Sequence, residues 1–287
     1  INILYYADKI NIGGVENMML QWVEHSTAEV HIDLFVTKVL DETMRQRFIS
    51  TGCDVFEANC SVKDIPTKAK KLAKVFKAKK YDIVHIHTSM ATDFFVLAVA
   101  KRYGVKYRIA HSHNVPIIPR FITRWADKLC KPLLRHYTTE FFGCSKQAAI
   151  ALFGNKKKYI DKYVVIKNGI DVDKYRFSNQ SRNEIRKEFN IADDEYVIGS
   201  VGRLDFQKNY GYLLRLIAKW NPKGRKIKVM IIGDGYEREA LSDFAVEHGI
   251  DLLLLGKRND VNKILSCFDL FVLTSRYEGF PVVMMEA

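Results

Sequence analysis

A chain of 287 residues that is 48% hydrophobic can bury a large core, and at ~100–200 residues per domain it reads as two domains, which excludes a disordered polymer. No run approaches the ~20 consecutive apolar residues of a spanning helix, the opening residues 1–9 lack the order of a signal peptide, and the five scattered cysteines (Cys53, Cys60, Cys130, Cys144, Cys267) show no C-x-x-C spacing; the expectation is a soluble, cytoplasmic protein with reduced thiols. The formal charge of +12 is uneven, since residues 1–167 hold 27 Lys+Arg against 15 Asp+Glu while residues 168–287 hold 18 of each, so the first half attracts polyanions: nucleic acid, anionic lipid or phosphorylated substrates.

Along the chain, an apolar strand at 3–6, a loop holding Gly13-Gly14 and a helical pattern through Met18, Met19, Trp22 and Val23 make a first βα unit. Strands at 32–36, 83–86 (with a helix from about Thr92), 108–110, 141–144 (with Ser145 capping a helix) and 164–166 extend it. Short apolar runs alternating with helices predict a parallel sheet covered on both faces. After Asn168-Gly169-Ile170-Asp171, a turn and hinge signal, the alternation restarts with strands at 196–201, 228–232, 252–255 and 270–273 and helices at 212–220 and 237–248. The expected domains are therefore 1–168 and 169–287. The chain stops at Glu286-Ala287, inside what reads as the first two turns of a helix opened by Pro281, so the second domain is expected to be C-terminally incomplete.

Two stretches of the first half are basic and amphipathic. Residues 66–80 hold seven lysines, with Leu72 and Phe76 one turn apart, and read as a solvated surface helix. In residues 117–135, Ile117, Phe121, Trp125, Leu129 and Leu133 recur at every fourth position beside Arg120, Arg124, Lys128, Lys131 and Arg135. That stripe suits an anionic membrane surface and equally a core-facing helix with a wet basic edge, and Pro132 should limit the helix to roughly its first four turns.

The chemistry concentrates in the last third. Gly202-Arg203 and Lys208-Asn209 follow the strand at 196–201, so backbone that a ligand can approach is joined to two cations able to hold a diphosphate. Glu278-Gly279-Phe280-Pro281 then precedes a helix whose free amides favour an anion, and Glu286 follows eight residues after Glu278. Carboxylates there can accept hydrogen bonds from sugar and ribose hydroxyls. Asp171-Val-Asp173 has the spelling of a metal-nucleotide motif but lies in the hinge, and positive side chains already supply what a metal would, so no metal and no cofactor are expected.

With these residues in view, the sequence resembles glycosyltransferase family 4, the retaining group with the GT-B fold, and its capsular and exopolysaccharide members in particular. The resemblance is carried by Gly13-Gly14-Val15-Glu16, residues 82–87 ending in His85-Ile-His87, Arg108-Ile-Ala-His111-Ser-His113-Asn114, Asn168-Gly-Ile-Asp171, Gly202-Arg203 to Lys208-Asn209, Gly233-Asp-Gly235, Leu255-Gly256-Lys-Arg258 and Glu278-Gly-Phe-Pro to Glu286. It implies an α/β protein of two Rossmann-like, doubly wound parallel-sheet domains: an acceptor-side domain and a nucleotide-sugar domain. It implies that Arg203 and Lys208 clamp the donor diphosphate, that Glu278 contacts the donor sugar with Gly279, Phe280 and Pro281 beside it, that Glu286 holds the ribose and that Arg258 flanks the base. Gly14 would close on sugar and phosphate and His113 would touch the donor sugar, with His111, Gly13 and Gly235 as further candidates.

The resulting expectation is transfer of a hexosyl unit from a UDP-linked sugar to a glycan or lipid-linked glycan, at or near the inner face of the plasma membrane through residues 117–135. A sugar-nucleotide epimerase of the same fold is one alternative. A basic nucleic-acid-binding protein is another, against which stands the lack of aromatic residues interleaved with the basic runs.

Overall fold

The computed structural model describes residues 1–11, 13–115, 121–220 and 226–287, without the side chains of 121–123. The chain divides into two compact units, Ile1–Asn168 and Gly169–Ala287. Among the described residues, no helix is long and apolar enough to cross a membrane.

The first unit runs β1 (Asn2–Ile10), α1 (Gly14–Glu24), β2 (His31–Val39), α2 (Glu42–Ser50), β3 (Val55–Glu57), α3 (Ile65–Ala78), β4 (Ile83–Thr88), a 3-10 turn (Ala91–Asp93), α4 (Phe94–Arg102), β5 (Tyr107–Ser112), α5 (Phe121–Tyr137), β6 (Glu140–Gly143), α6 (Lys146–Phe153), α7 (Lys157–Ile160) and β7 (Tyr163–Val165). Its strands pair in parallel in the order β3-β2-β1-β4-β5-β6-β7. The period-2 alternation of a strand divides β1 between two cores: Leu4 and Tyr6 join Val84, Ile86 and Phe95 on one face, while Tyr5 and Ala7 join Met18, Met19 and Leu20 on the other. Strand order reverses between β1 and β4, where an open doubly wound sheet has its crevice.

The second unit runs α8 (Asn179–Glu188), β8 (Tyr196–Val201), α9 (Tyr210–Lys219), β9 (Ile227–Ile232), α10 (Arg238–Glu247), β10 (Asp251–Gly256), α11 (Val261–Leu265), β11 (Leu270–Phe271) and α12 (Val283–Glu286). The parallel order β10-β9-β8-β11 repeats the start of the first sheet, with its reversal between β8 and β11. Met230 and Ile232 face one core and Val229 and Ile231 the other. The parallel, double-faced α/β architecture is the expected one.

Three details differ from the sequence reading. α5 continues through Pro132 to Tyr137, because the turn after the proline is anchored: Leu134 is fully buried, and Lys131 Nζ and Arg135 Nη1 donate to the carbonyls of Ala151 (2.7 Å) and Phe153 (2.9 Å). The lysine-rich helix is not wholly solvated, since Lys68 is only 2% exposed and lies on the same stripe as Leu72, Val75 and Phe76. Pro281 precedes rather than opens α12, which is a single turn starting at Val283.

Of the 117–135 stripe, residues 116–120 and the side chain of Phe121 lie outside the described set. The remainder faces outward: Trp125, Leu129 and Leu133 are 46%, 69% and 43% exposed, with Lys128 Nζ 5.1 Å over the Trp125 ring. The inward face carries Leu134 and Asp127, which accepts from the Ala91 amide at 2.6 Å. The exposed part of the stripe is therefore not a core contact.

Candidate active site

In the second unit, loops from three strand ends are laid against one another by backbone. The Gly202 amide donates to Ile232 (2.9 Å), Leu204 to Asp234 (3.0 Å), Glu237 to Leu204 (3.1 Å) and Gly233 to Gly256 (2.8 Å). Gly233 adopts φ +136°, and a Cβ there would fall on the carbonyl oxygen of Gly202; a Cβ on Gly235 would fall on that of Leu204. These glycines are required by close backbone approach.

On this platform the loop after β8 is stitched to the segment after β11. Lys208 Nζ lies 2.8 Å from Glu278 Oε1, both side chains largely buried. Gln207 Nε2 donates to the Tyr277 carbonyl (3.1 Å) and to Glu278 Oε2 (3.4 Å), and its own carbonyl accepts from the Arg276 amide (2.8 Å). Thr274 Oγ1 donates to the Lys208 carbonyl (3.0 Å), and Asn209, held in the left-handed region at φ 57°, donates from Nδ2 to Thr274 (3.2 Å). Arg203 extends from the same loop into solvent, within 3.1 Å of Asp205 Oδ2 and 3.5 Å of Gln207 Oε1. The result is two cations and a carboxylate at the reversal point of the sheet, where ligands of open α/β sheets bind.

The other expected donor residues are placed as follows. Gly279, Phe280 and Pro281 lie between Glu278 and α12. Glu286, on α12, is partly buried, which raises its carboxyl pKa against the lowering effect of a Tyr175 hydrogen bond. Arg258 follows β10, two strands from β8; its guanidinium is gripped by Asp260 (2.7 Å) and Glu188 (3.1 Å), so the structure ties it to α8 rather than to Lys208. In the hinge motif, Asp171 Oδ1 accepts from the amides of Asp173 (3.1 Å) and Lys174 (3.2 Å), and Asp173 pairs with Arg176 (2.8 Å).

In the first unit Gly13 caps and Gly14 begins α1, immediately after β1. His111 and His113, at the end of β5, belong to a buried ladder with His85 and His87 of β4. His85 Nε2 lies 3.2 Å from His111 Nδ1 and His87 Nδ1 lies 2.9 Å from His113 Nε2; Trp22 stacks on His85 and His111. Burial holds all four imidazoles well below their ordinary range, His111 at about 4, so they are neutral. Nitrogens of His85, His87 and His111 lie within 4.8 Å of one another, but Nε2 of His87 and of His111 and Nδ1 of His113 have no partner among the described residues.

The family model described as Glycosyltransferase Family 4 matches residues 12–174, 163 of the 287 residues, and that of Glycosyl transferases group 1 matches residues 181–287. The chain belongs to glycosyltransferase family 4. EpsF of Bacillus subtilis, named as a glycosyltransferase, is 28% identical over 294 residues, covering 99% of this chain and 76% of that protein. The UDP-Gal:alpha-D-GlcNAc-diphosphoundecaprenol alpha-1,3-galactosyltransferase of Escherichia coli is 29% identical over 273 residues, covering 88% of this chain and 66% of that protein. The crystal structure of Anabaena HepE with UDP and glucose superposes with a TM-score of 0.82 at 21% identity, over all of this chain and 77% of that one, a likeness that shows the GT-B fold.

The family 4 chain is thus a glycosyltransferase, and neither the epimerase nor the nucleic-acid alternative is favoured. What the sequence reading missed in this enzyme is the supporting set: Gln207 and Thr274, which with Asn209 join the two loops, and the His85–His87 half of the ladder as a structural partner of His113. A signal existed for the second, since two His-x-His spellings on neighbouring strands put four imidazoles on one sheet face.

Proposed function

We propose that this family 4 enzyme transfers a hexosyl unit from a UDP-sugar to a hydroxyl of a glycan, carried on a lipid diphosphate, in polysaccharide or glycolipid synthesis, with retention of anomeric configuration. The observation that carries the reading is the Lys208–Glu278 pair at the reversal point of the second sheet, with Arg203 on the same loop. Breaking the anomeric C–O bond leaves negative charge on the departing diphosphate, and positioned cations stabilise charge that develops only in the transition state. Lys208 would exchange part of its contact with Glu278 for a phosphate oxygen, while Glu278 accepts from a sugar hydroxyl. Glu286 would take the ribose diol, with Arg258 beside the base. His113, held neutral by burial, would contact the sugar without repelling positive charge on its ring. The names of the E. coli relative and of the HepE complex support the UDP donor, and the former the lipid-diphosphate acceptor.

The outward stripe of Trp125, Leu129 and Leu133 among Arg124 and Lys128 supports residence at an anionic membrane surface, where such an acceptor is found. No metal or cofactor is needed in this scheme. Changing Lys208 to Ala should lower kcat by ~10²–10³-fold, the scale of one lost transition-state donor, with little change in melting temperature. An unchanged kcat with UDP-sugar in saturating acceptor would overturn the assignment.

A further inference from the structure

The side chain of Gln207 does more than join loops. The loops after β8 and β11 are joined without it: the Gln207 main-chain carbonyl accepts from the Arg276 amide (2.8 Å), Asn209 Nδ2 donates to the Thr274 carbonyl (3.2 Å), and Thr274 Oγ1 donates to the Lys208 carbonyl (3.0 Å). The Gln207 amide is turned onto the charged groups instead. Its nitrogen has an acceptor for each proton, the Tyr277 carbonyl at 3.1 Å and Glu278 Oε2 at 3.4 Å, and its oxygen lies 3.5 Å from Arg203 Nη2. The other oxygen of the same carboxylate, Glu278 Oε1, is 2.8 Å from Lys208 Nζ. Glu278 is thus divided between a cation and a neutral donor.

The two halves fare differently when a donor binds. A phosphate oxygen competes for Lys208, and a carboxylate losing its cation is free to rotate and is repelled by the incoming diphosphate. The Gln207 contact survives that exchange, because both of its N–H groups are already committed inside the protein. Only a primary amide of this length can hold a carboxylate with one end and face a guanidinium with the other: Glu would repel Glu278, Lys would repel Arg203, and Met would hold neither.

We infer that Gln207 is a positioning residue that keeps Glu278 Oε2 in place while Lys208 turns to the diphosphate, so that Oε1 is presented to a hydroxyl of the donor sugar. It serves recognition of the sugar and not of the nucleotide. The inference rests on the function proposed above.

The test is calorimetric titration with UDP, UDP-glucose, UDP-galactose and UDP-N-acetylglucosamine, paired with turnover. At least one UDP-sugar should bind the wild type. Gln207→Met should leave the Kd for UDP within threefold and raise that for the UDP-sugar at least about tenfold, with kcat/KM falling in step, the scale of one lost substrate hydrogen bond. Gln207→Glu should lose more, through repulsion of Glu278. In a Glu278→Gln background, Gln207→Met should add less than about twofold, because the group it positions is gone. Thr274→Val, which loosens the loops themselves, should weaken UDP and UDP-sugar together. The same joint loss in Gln207→Met, an unaltered UDP-sugar affinity there, or full additivity with Glu278→Gln would each overturn the positioning role while the proposed function stands. If none of the UDP-sugars binds the wild type, the proposed function fails and this role with it.

Discussion

Between β8 and β11 the strand ends carry Arg203 and Lys208 on a loop laid over glycine, whereas between β1 and β4 the corresponding place carries Asp8, Asp93 and a flank of buried histidines. The strand order around both is the same. Topology therefore supplies a crevice twice, and the side chains placed there differ in charge: two cations and a carboxylate at one, two carboxylates at the other. The whole-chain excess of +12 hides this, since its surplus cations lie in the first half while Arg203 and Lys208 lie in the half with balanced charge. Bulk charge speaks to surfaces and local charge to sites.

The sharpest way to break the comparison is at the backbone that only the second unit needs. Gly233→Val places a side chain on the Gly202 carbonyl at φ +136° and should destabilise by at least about 3 kcal/mol, seen as early unfolding of residues 169–287 in hydrogen exchange while the first sheet stays protected. Uniform protection equal to wild type would mean that the loops do not need this contact.

Acid should act on the other unit. Burial holds the four ladder histidines below the ordinary imidazole value of about 6.5, so their contribution is complete above that pH and is lost as pH falls toward the folded values. His111 alone, at about 4, accounts for roughly 3 kcal/mol over that window. Asp93 works in the opposite sense, because a carboxyl raised to about 6 favours the folded state when protonated, which offsets part of the loss below pH 6. The second unit has His248 as its only histidine and no such ladder. Protection measured by hydrogen exchange at pH 7 and pH 5 should fall for β4 and β5 and hold for β8 and β9; equal change in both would refute the neutral ladder.

A smaller effect is expected at the outward stripe. Replacing Trp125 and Leu129 together by Ser should weaken sedimentation with vesicles containing anionic lipid about tenfold or more, at ~1.5–3 kcal/mol per buried apolar side chain, with unchanged kcat toward a water-soluble acceptor. Equal sedimentation of both proteins would remove the membrane reading.

Most of the parallel strands were readable because they are short apolar runs, but the three-residue β3 was not; nor were α8, which is almost wholly polar, and α2, whose buried Met44 and Phe48 make a stripe of one turn, although Asp41 and Ser178 cap both helices through side-chain acceptors. The pairing of Arg203 and Lys208 on one loop was readable because its glycine and both cations fall within one short stretch, residues 202–208. The cavity lined by Asp8, Lys68, His87 and Asp93 was not, because these residues meet only through strand order, and Lys68 is one of seven lysines whose burial depends on its turn of the helix. The exposed stripe of α5 had an ambiguous period, since amphipathicity gives a direction but not what lies in it.

The most direct test of the account is calorimetric titration of the complete protein and its Lys208→Ala variant with UDP, GDP and ADP. The account predicts that UDP binds the wild type more tightly than either purine nucleotide and that the variant loses at least tenfold of that affinity. Equal affinity of UDP for both proteins, or no preference for UDP, would contradict a diphosphate held by the loop after β8.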